Sequence, residues 1–403
     1  MAAYLRNGIG RRPGLPAFEG WRIVLACSAV GAYGGGVYFY GFTLFFNPLR
    51  EELGLTSTQT SLIFSLTRLE GAFEGALVGF LIDRFGARRV MMAGVPLTGI
   101  GFLLWATVVH SYLAFGLVYV GVIATGINAG FFHPALTVAN NWFIRRRATA
   151  MQLLGVSQGL GGATLVPLVG LSIATLGWRP TAFMAGIGLL VFIWPLTLLV
   201  HHRPEDRGLR PDGDPPPEEA FLAGSEDEAS ETEPARRSVG AAPIDFTVRE
   251  AFRTKALWVL TFAITIRLFT HTAVMVHLAP MLISRGFGTV AAGGAVGLLS
   301  FSTIPSRLLA GWLGDRFTKR KVIAGLLMLD ATALVVLMNA TSYWHIYGFI
   351  FLWASGYGAG LLNWAVVGDY FGRARFATIR GMMGGVFSFG GMLGPLFAGW
   401  TFD

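Results

Sequence analysis

Apolar stretches of about 20 residues or more recur along the chain between short polar loops, and this length matches a helix that crosses a bilayer. The pattern predicts an all-α membrane protein. We place eleven transmembrane spans, numbered 1–11 in chain order, at residues 21–46, 60–82, 90–109, 112–138, 148–174, 181–200, 254–283, 291–314, 322–340, 345–369 and 378–400.

The loops between the spans alternate in charge. One set is strongly basic, as at residues 84–89, 145–147 and 316–321, whereas the other set carries few Lys or Arg residues. Because basic loops are retained on the cytoplasmic side, this alternation predicts a multi-pass protein whose N-terminus and basic loops lie in the cytoplasm. We expect the protein in the plasma membrane.

Residues 203–250 interrupt the apolar pattern between spans 6 and 7. They are rich in Pro, Asp, Glu, Ser and Gly, a composition that buries too little apolar surface to fold. We therefore divide the chain into an N-terminal six-helix bundle (1–200), an acidic, disordered cytoplasmic linker (201–253) and a C-terminal bundle with five spans (254–403). We interpret the linker as a tether between the halves, with regulation as the alternative.

Composition narrows the class of protein and its partners. Of 403 residues, 53% are hydrophobic and 13% are charged, whereas soluble domains carry roughly 25% charged residues. The formal net charge is +8, but the basic residues lie in short loops between spans, which argues against a nucleic-acid partner. The single cysteine, Cys27, excludes a disulfide framework and a cysteine metal site within one chain. We predict no cofactor and no metal site.

One motif occurs twice. Residues 79–94 read GFLIDRFGARRVMMAG and residues 311–325 read GWLGDRFTKRKVIAG, each at the end of one span and the start of the next. A duplicated membrane unit with a charged hinge indicates a transporter built from two halves. The repeat continues beyond the hinges, so the sixth span predicts a twelfth. The sequence stops at Asp403 without one; we expect that the sequence is truncated, with loss of the last span as the alternative.

The hinge residues are Gly79, Asp83, Arg84, Gly86, Arg88, Arg89, Gly311, Asp315 and Arg316. Together they resemble the hinge signature of the major facilitator superfamily, over essentially the whole chain. This resemblance implies two six-helix bundles, a central cavity and alternating access. It also implies a gating role for the hinge residues, through contacts on the cytoplasmic face that break when the inner gate opens.

A narrower resemblance is to the monocarboxylate and oxalate–formate transporters. Glu19-Gly20-Trp21 is similar to that branch's acidic-Gly-Trp motif, and residues 142–150 are similar to its basic motif at the start of span 5. Arg307 stands where the branch carries its substrate-binding arginine.

Three positions depart from the branch. Thr303 replaces an Asp of animal monocarboxylate transporters, Tyr40 replaces a Lys, and residues 382–400 lack the Lys that oxalate transporters carry in span 11. Proton coupling through that Lys and Asp, and dicarboxylate binding by an Arg–Lys pair, therefore stay open.

Arg307 is the first candidate for substrate binding. An ionisable side chain at membrane depth costs on the order of 3 kcal/mol, so each one requires a reason. The planar guanidinium of Arg307 can bind a carboxylate through two parallel hydrogen bonds. The alternative is a structural ion pair that holds spans together.

Spans 2 and 7 carry further ionisable groups. Glu70 and Glu74 are four residues apart and share a helix face, and buried carboxyls of this kind can exchange protons near neutral pH. In span 7, which lines the cavity by resemblance, we predict that Arg267 and His277 bind the substrate and that His271 exchanges a proton. Purely structural pairing is the alternative for all five.

Spans 1, 4 and 10 line the cavity by resemblance. Aromatic walls with a few polar donors suit a small organic anion. The candidates are Tyr33, Tyr38, Tyr40, Asn128, His133, Tyr357 and Asn363. Asp330, in the middle of peripheral span 9, receives no role.

The sequence therefore predicts a secondary active transporter, not an enzyme, that moves a small organic anion by alternating access. A monocarboxylate is the preferred substrate, with proton symport or anion exchange, and we expect a monomer in the lipid bilayer. The alternatives are an exporter of drug-like or other small solutes and a transport-incompetent nutrient sensor on the same scaffold. A membrane enzyme is disfavoured because the spans lack a His-box, paired metal ligands and a GxSxG nucleophile.

Overall fold

The computed structural model describes residues 18–214, 245–287 and 289–402. The regular secondary structure of these residues is helical, and one helical segment corresponds to each of the eleven predicted spans. The helices of spans 1–11 are, in order, Glu19–Gly34 with Phe42–Glu52, Ser57–Phe85, Ala87–Thr107, Tyr112–Val118 with Thr125–Gly130 and Phe132–Trp142, Arg147–Leu176, Trp178–Gly188 with Trp194–Thr197, Lys255–Ser284, Thr289–Arg316, Lys319–Met338, Tyr343–Phe371 and Phe376–Phe402. The predicted all-α membrane architecture is confirmed.

Nine of these segments, within the part of the chain that the structure describes, are long and apolar enough to cross a membrane. Spans 2 and 8 fall outside this set although they are 29 and 28 residues long. Their length includes the charged residues Glu70, Glu74 and Arg307.

Three spans of the N-terminal half contain a short π-helical segment. These segments are Gly35–Tyr40 in span 1, Tyr119–Ala124 in span 4 and Leu189–Ile193 in span 6. A π-helical turn widens the helix and frequently marks a functional site. Tyr38 and Tyr40 lie in the first of them.

Helix ends follow from local sequence. Thr56 and Gln59 form a capping box at the start of span 2, in which each side chain bonds the other residue's backbone N–H. Gly86, with φ of 86°, separates spans 2 and 3. Only glycine adopts this backbone conformation readily, so the first hinge turns sharply at this residue.

Aromatic packing forms the core of each half. In the N-terminal half, Trp105 is buried with ring centroids 5.0 Å from Phe45 and 5.7 Å from Trp178. In the C-terminal half, Trp353 is buried and stacks on Phe349 at 5.8 Å. Large apolar side chains also cover the outside of the helices, with Trp344 82% exposed, as expected where lipid is the solvent.

The halves meet where small residues allow helices to approach closely. Span 2 crosses span 11 at Gly75, whose added Cβ would lie 3.3 Å from the Gly381 carbonyl oxygen. Span 8 crosses span 5 at Gly311, whose Cβ would lie 3.0 Å from the Thr149 Cα. Small residues at such crossings permit tight van der Waals packing between membrane helices.

The two ends of the predicted linker are folded. After span 6, 3₁₀ turns form at Pro204–Arg207 and Pro211–Gly213, and the helix Val248–Arg253 precedes span 7. Residues 215–244 between them lie outside the described residues, as do the predicted cytoplasmic N-terminus (1–17) and Asp403, so the predictions for these segments stay predictions.

Candidate transport site

The two hinge copies join the halves at one end of the bundle, which we call the hinge face. Asp83 of span 2 accepts hydrogen bonds from the backbone N–H groups of Ala377 at 3.3 Å and Thr378 at 2.9 Å, and from the Thr378 hydroxyl at 2.6 Å. Asp315 of span 8 accepts from the N–H groups of Ala148 at 2.9 Å and Thr149 at 3.0 Å. Each aspartate thus caps the first turn of a helix in the other half, where N–H groups are unpaired and the helix dipole favours an anion.

Other hinge residues shape these contacts. A Cβ on Gly79 would overlap the Ala377 carbonyl of span 11, so glycine is required for this approach. The guanidinium of Arg84 lies over the rings of Phe80 and Phe85, and Arg316 lies over Trp312 at 4.8 Å from the ring centroid. Arg88 and Arg89 form no ion pair with the described residues.

The folded ends of the linker bind the loops that precede these capped helices. One carboxylate oxygen of Asp212 accepts from the N–H groups of Ile144 at 3.0 Å and Arg145 at 2.9 Å. Asp245 accepts in the same way from Arg373 at 2.7 Å and Ala374 at 3.0 Å. Sequence reasoning missed both aspartates, because nothing in a polar linker marks one acid over its neighbours.

Ion pairs complete the closure of the hinge face. Asp369 of span 10 bridges Arg147 of span 5 at 2.6 Å and Lys319 of span 9 at 2.7 Å. Glu205 accepts two hydrogen bonds from Arg373, at 2.9 and 3.1 Å. Burial alone would raise the pKa of Glu205, but the Arg373 hydrogen bonds and charge outweigh it and lower the pKa. The halves are therefore held together on this side.

Arg307 lies in span 8, two turns from Asp315. Its Nη1 donates to the Gly155 carbonyl of span 5, and its guanidinium carbon is 5.9 Å from the ring centroid of Tyr357. The Nε is buried without a hydrogen-bond partner. No carboxylate among the described residues forms an ion pair with Arg307, so the structural ion pair considered above is absent from this part of the chain.

Arg267 of span 7, like Arg307, contacts span 10. Its Nη2 donates to the Gly356 carbonyl of span 10 at 3.0 Å, and its Nε is also buried without a partner. A Cβ on Gly360 of span 10 would be only 3.1 Å from the Nη1 of Arg267. Two guanidinium groups thus converge on the glycine-rich middle of span 10, where Tyr357 lies.

His271 and Asp330 form a buried pair next to Arg267. The His271 Nε2 is 3.0 Å from the Asp330 Oδ2, with 5% and 7% of the two residues exposed. The imidazole stacks on Trp353, with ring centroids 4.3 Å apart, and meets the Tyr357 ring edge-on at 4.8 Å. A Cβ on Gly356 would collide with the Asp330 carboxylate, so this glycine makes room for the acid.

The carboxylates of span 2 bind neutral donors of span 4. The Thr125 hydroxyl donates to Glu70 at 2.8 Å, and the Asn128 amide donates to Glu74 at 2.8 Å. One oxygen of Glu70 is buried without a partner. The predicted proton-coupling residues are therefore split between the halves, with Glu70 and Glu74 on one side and His271 on the other.

Arg380 is the functional candidate that sequence reasoning missed. It is 5% exposed in span 11, with its Nη1 2.8 Å from the His133 Nδ1 of span 4 and its guanidinium 4.8 Å from the Trp364 ring centroid. The signal was present in the sequence, because Arg380 falls inside the predicted span 378–400. It was overlooked because it follows the basic loop and looks like part of it.

The remaining predicted residues do not all join the centre. Tyr38 stacks on Tyr119 of span 4 at 5.9 Å, and Asn363 is buried in span 10. The Tyr33 hydroxyl donates to the Ala185 carbonyl of span 6 at 2.9 Å, within its own half. His277 contacts the Pro395 carbonyl of span 11 at 3.0 Å. These last two contacts are directed toward neighbouring helices rather than toward Arg307.

The structure thus has a duplicated hinge, which joins two helical halves, and buried cations between helices. The sequence of the chain matches one known family over most of its length. The profile of the Major Facilitator Superfamily aligns with residues 25–395. The chain belongs to the Major Facilitator Superfamily. It is therefore a secondary transporter that spans the membrane, and the expected resemblance is confirmed.

The superfamily relatives of this chain carry different kinds of solute. Monocarboxylate transporter 11 of Homo sapiens is 27% identical over 419 residues, which cover 97% of this chain and 79% of that protein. The glycerol-3-phosphate transporter of Bacillus subtilis is 25% identical over 303 residues, covering 74% of this chain and 65% of its own length. A probable hexose phosphate transport protein of Chlamydia trachomatis is 28% identical over 323 residues, covering 75% and 66%.

Solved structures share the superfamily fold at low sequence identity. The Escherichia coli fucose:proton symporter superimposes with a TM-score of 0.67 at 14% identity, covering 94% of this chain and 92% of that one. The human organic anion transporter MFSD10 superimposes with a TM-score of 0.66 at 18% identity, covering 95% and 93%. The family and fold neighbours are transporters rather than enzymes.

Proposed function

We propose that this chain moves a small organic anion across the plasma membrane by alternating access, with a monocarboxylate as the preferred substrate. The observation that carries the proposal is Arg307, a cation at membrane depth whose Nε is buried and unbonded and which has no carboxylate partner among the described residues. A lone buried charge is unfavourable by several kcal/mol. A substrate carboxylate would supply the missing counter-charge.

The surroundings of Arg307 support a small, partly apolar anion. Tyr357 lies beneath the guanidinium, and Tyr40 of span 1 is in electrostatic contact with both. Aromatic walls with one strong cationic anchor bind the carboxylate and the organic body of such a molecule together. The relative that covers 97% of this chain is named a monocarboxylate transporter, which favours that substrate class.

The closed hinge face supports alternating access. We assign this face to the cytoplasm because its loops are basic. Asp83 and Asp315 then hold the inner gate shut, so the anion reaches Arg307 from outside. Opening the inner gate requires both caps to separate, and a proton or a counter-anion supplies the driving force. We expect the monomer to perform the whole cycle.

Uptake of labelled lactate or pyruvate into proteoliposomes, with and without a pH gradient, tests this function. We expect uptake by the wild-type protein and a fall on the order of 100-fold for Arg307→Ala, equivalent to about 3 kcal/mol. Arg307→Lys keeps the charge but loses the two-pronged geometry, so it should recover only part of the activity. Arg146→Ala, an exposed arginine, is the control that removes the same charge elsewhere.

Unchanged uptake by Arg307→Ala would contradict the proposal, as would the absence of uptake of any small carboxylate by the wild-type protein. Uphill efflux of an unrelated apolar compound would favour the drug-exporter alternative.

A phosphate monoester is the second candidate substrate. It is favoured by the convergence of two guanidinium groups, Arg267 and Arg307, on the middle of span 10, since a dianion uses two cations. Two relatives are named as glycerol-3-phosphate and probable hexose phosphate transporters. Exchange of labelled glycerol 3-phosphate for internal phosphate, without lactate uptake, would select this candidate.

A further inference from the structure

Three polar atoms in one buried cluster of the C-terminal half have no hydrogen-bond partner among the residues that the structure describes. They are the Nδ1 of His271, the Oδ1 of Asp330 and the Nε of Arg267. Buried polar atoms are normally satisfied, so each exception calls for an explanation. Two of these atoms belong to the pair that is joined by the 3.0 Å bond between the His271 Nε2 and the Asp330 Oδ2, and Arg267 interacts electrostatically with both members of the pair.

From this geometry we propose that the His271–Asp330 pair is the proton-binding site of the transport cycle, and that it is coupled to Arg307 through Tyr357. The inference rests on the proposed function and names its coupling ion. Asp330 had no role from the sequence, and the pair lies in the half of the molecule that also holds the anion-binding arginine.

The geometry defines where the proton binds. An ionised carboxylate only accepts hydrogen bonds, so the His271 Nε2 carries its hydrogen toward Asp330 and the Nδ1 presents a lone pair. That lone pair is buried and unused. One proton adds to Nδ1, which gives an imidazolium held by the Asp330 carboxylate, and the same proton leaves from Nδ1 when the site faces the other side.

Charge balance links the proton to the substrate. Without a ligand, Arg267 and Arg307 contribute two positive charges and Asp330 one negative charge. A second excess positive charge on His271 is then disfavoured. When a monocarboxylate binds Arg307, its negative charge cancels the one excess positive charge of the cluster. Protonation of His271 then returns the cluster to the net positive charge that it has without a ligand. A monoanion and one proton therefore move together.

Tyr357 stands between the two sites. Its ring is 4.8 Å from the His271 ring and 5.9 Å from the Arg307 guanidinium carbon. The His271 ring also stacks on Trp353, with the ring centroids 4.3 Å apart. The imidazole is therefore fixed in orientation, and a displacement of Arg307 by bound substrate reaches it through one side chain.

The ionisable side chains around the His271–Asp330 pair come from spans 7, 8 and 10. Arg267 lies on the same span as His271, Arg307 approaches from span 8 and Tyr357 from span 10. Span 11 also packs against span 7. Its only charged residue between 376 and 402, Arg380, contacts His133 instead.

The repeat provides an internal comparison for Asp330. By the register of the hinge motifs, Thr98 of span 3 is the equivalent residue in the N-terminal half. Thr98 donates to the Gly94 carbonyl of its own helix at 3.0 Å and carries no charge. The fold therefore does not need an acid at this position, which argues that Asp330 serves the coupling chemistry.

Asp330→Asn and His271→Gln test the inference, Glu70→Gln and Glu74→Gln test the competing proton site of span 2, and His345→Gln, an exposed histidine, is the control. Labelled lactate is followed in proteoliposomes in two assays: accumulation driven by a pH gradient, and counterflow at equal pH. We expect both C-terminal variants to lose accumulation by about tenfold or more while counterflow persists. The control His345→Gln should retain accumulation.

Accumulation by both Asp330→Asn and His271→Gln would overturn the inference and leave the proposed function intact. Loss of accumulation only in the glutamate variants would also overturn it, by moving the proton site to span 2. Absence of both accumulation and counterflow in the wild-type protein would instead overturn the proposed function and the inference with it.

A second measurement covers variants that are poorly active. A pH-sensitive dye in weakly buffered detergent solution reports proton uptake when lactate is added to the purified protein. We expect about one proton per chain for the wild type and none for His271→Gln. Equal proton uptake by both would contradict the assignment, whatever the transport activity of the variant.

Discussion

The two halves of this transporter are near copies at the hinge face and differ at membrane depth. At the hinge face, Asp83 caps span 11 and Asp315 caps span 5. Each aspartate accepts from two consecutive backbone N–H groups at equivalent positions of its helix. Asp212 and Asp245 bind the two preceding loops in equivalent register. A gate between two rocking halves has to close on both sides of the axis, so the same contacts are required twice.

At membrane depth the two halves carry different charged groups. The N-terminal half holds the carboxylates Glu70 and Glu74, each bonded to a neutral donor, whereas the C-terminal half holds Arg267, Arg307 and the His271–Asp330 pair. The hinge register aligns Gly75 with Arg307. In one half this position is a close helix crossing, and in the other it is the candidate anion anchor. Under the proposed function a single substrate carboxylate needs a single anchor, so only one half carries it.

The largest predicted effects concern one glycine in each half, Gly126 and Gly356, which make room for Thr98 and Asp330 respectively. Each Gly→Ala variant should lower the free energy of unfolding by about 3 kcal/mol or more, because the added methyl group overlaps a neighbour. Gly348→Ala in span 10 is the control, since its Cβ would meet nothing closer than 4.0 Å. Thermal unfolding in detergent measures all three.

The two glycines should differ in how they respond to a second mutation. The three atoms nearest to a Cβ on Gly356 all belong to the Asp330 side chain, whereas those nearest to a Cβ on Gly126 include the Thr98 backbone nitrogen. Asp330→Ser should therefore offset part of the cost of Gly356→Ala, while Thr98→Ala should leave Gly126→Ala as unstable as before. Additive effects in both pairs would contradict the packing described for span 10.

A second asymmetry is sensitive to pH. The His202 Nδ1 accepts a hydrogen bond from the Ala87 N–H at the start of span 3, at 3.1 Å, whereas the equivalent helix start at Lys319 has no side-chain cap. Burial, and then the Arg203 charge, lower the pKa of His202 from 6.5 to about 4. The unfolded chain binds the extra proton in this window, so stability falls as the pH drops from about 6.5 to 4, by up to about 3 kcal/mol.

Unfolding temperatures across this pH range test the prediction. His202→Asn keeps an acceptor but does not titrate, so we expect its unfolding temperature to change less with pH than that of the wild type. An identical pH profile for both proteins would show that another group dominates acid sensitivity.

The smallest predicted effects test the symmetry of the gate. Asp83→Asn and Asp315→Asn each weaken one cap by about 1 kcal/mol, so each should raise the hinge-open population severalfold, and the two variants should match. Distances between spin labels on the two halves at the hinge face measure this population. A much larger effect of one aspartate would mean that the gate closes mainly on one side.

Sequence patterns predicted the spans well because burial in lipid depends on local apolar length. The predicted span 2, 60–82, lies within the helix Ser57–Phe85, and the helices generally extend a few residues past the predicted edges. The hinge pattern also placed Asp83 and Asp315 at spans that contact the opposite half. Both features depend on residues close together in the chain.

The composition of the candidate site was less predictable. Arg307 was identified because a charge at membrane depth is rare, and the same rule would have found Arg380 had the basic loop not obscured it. Asp330 received no role because pairing with His271 joins residues 59 positions apart on different helices. The spacing of hydrophobic and polar residues along the chain does not indicate which side chains of different helices form a pair.

The sequence by itself determined the spans, the duplication, the hinge and the set of ionisable residues in the membrane, because each follows from local composition or from repetition. Only the tertiary structure decided which charges are paired. It placed Asp330 against His271, left Arg307 without a carboxylate among the described residues, and directed Tyr33 toward span 6. Pairing depends on how helices rotate and cross. Small residues such as Gly356, which are far in sequence from the paired side chains, determine that packing.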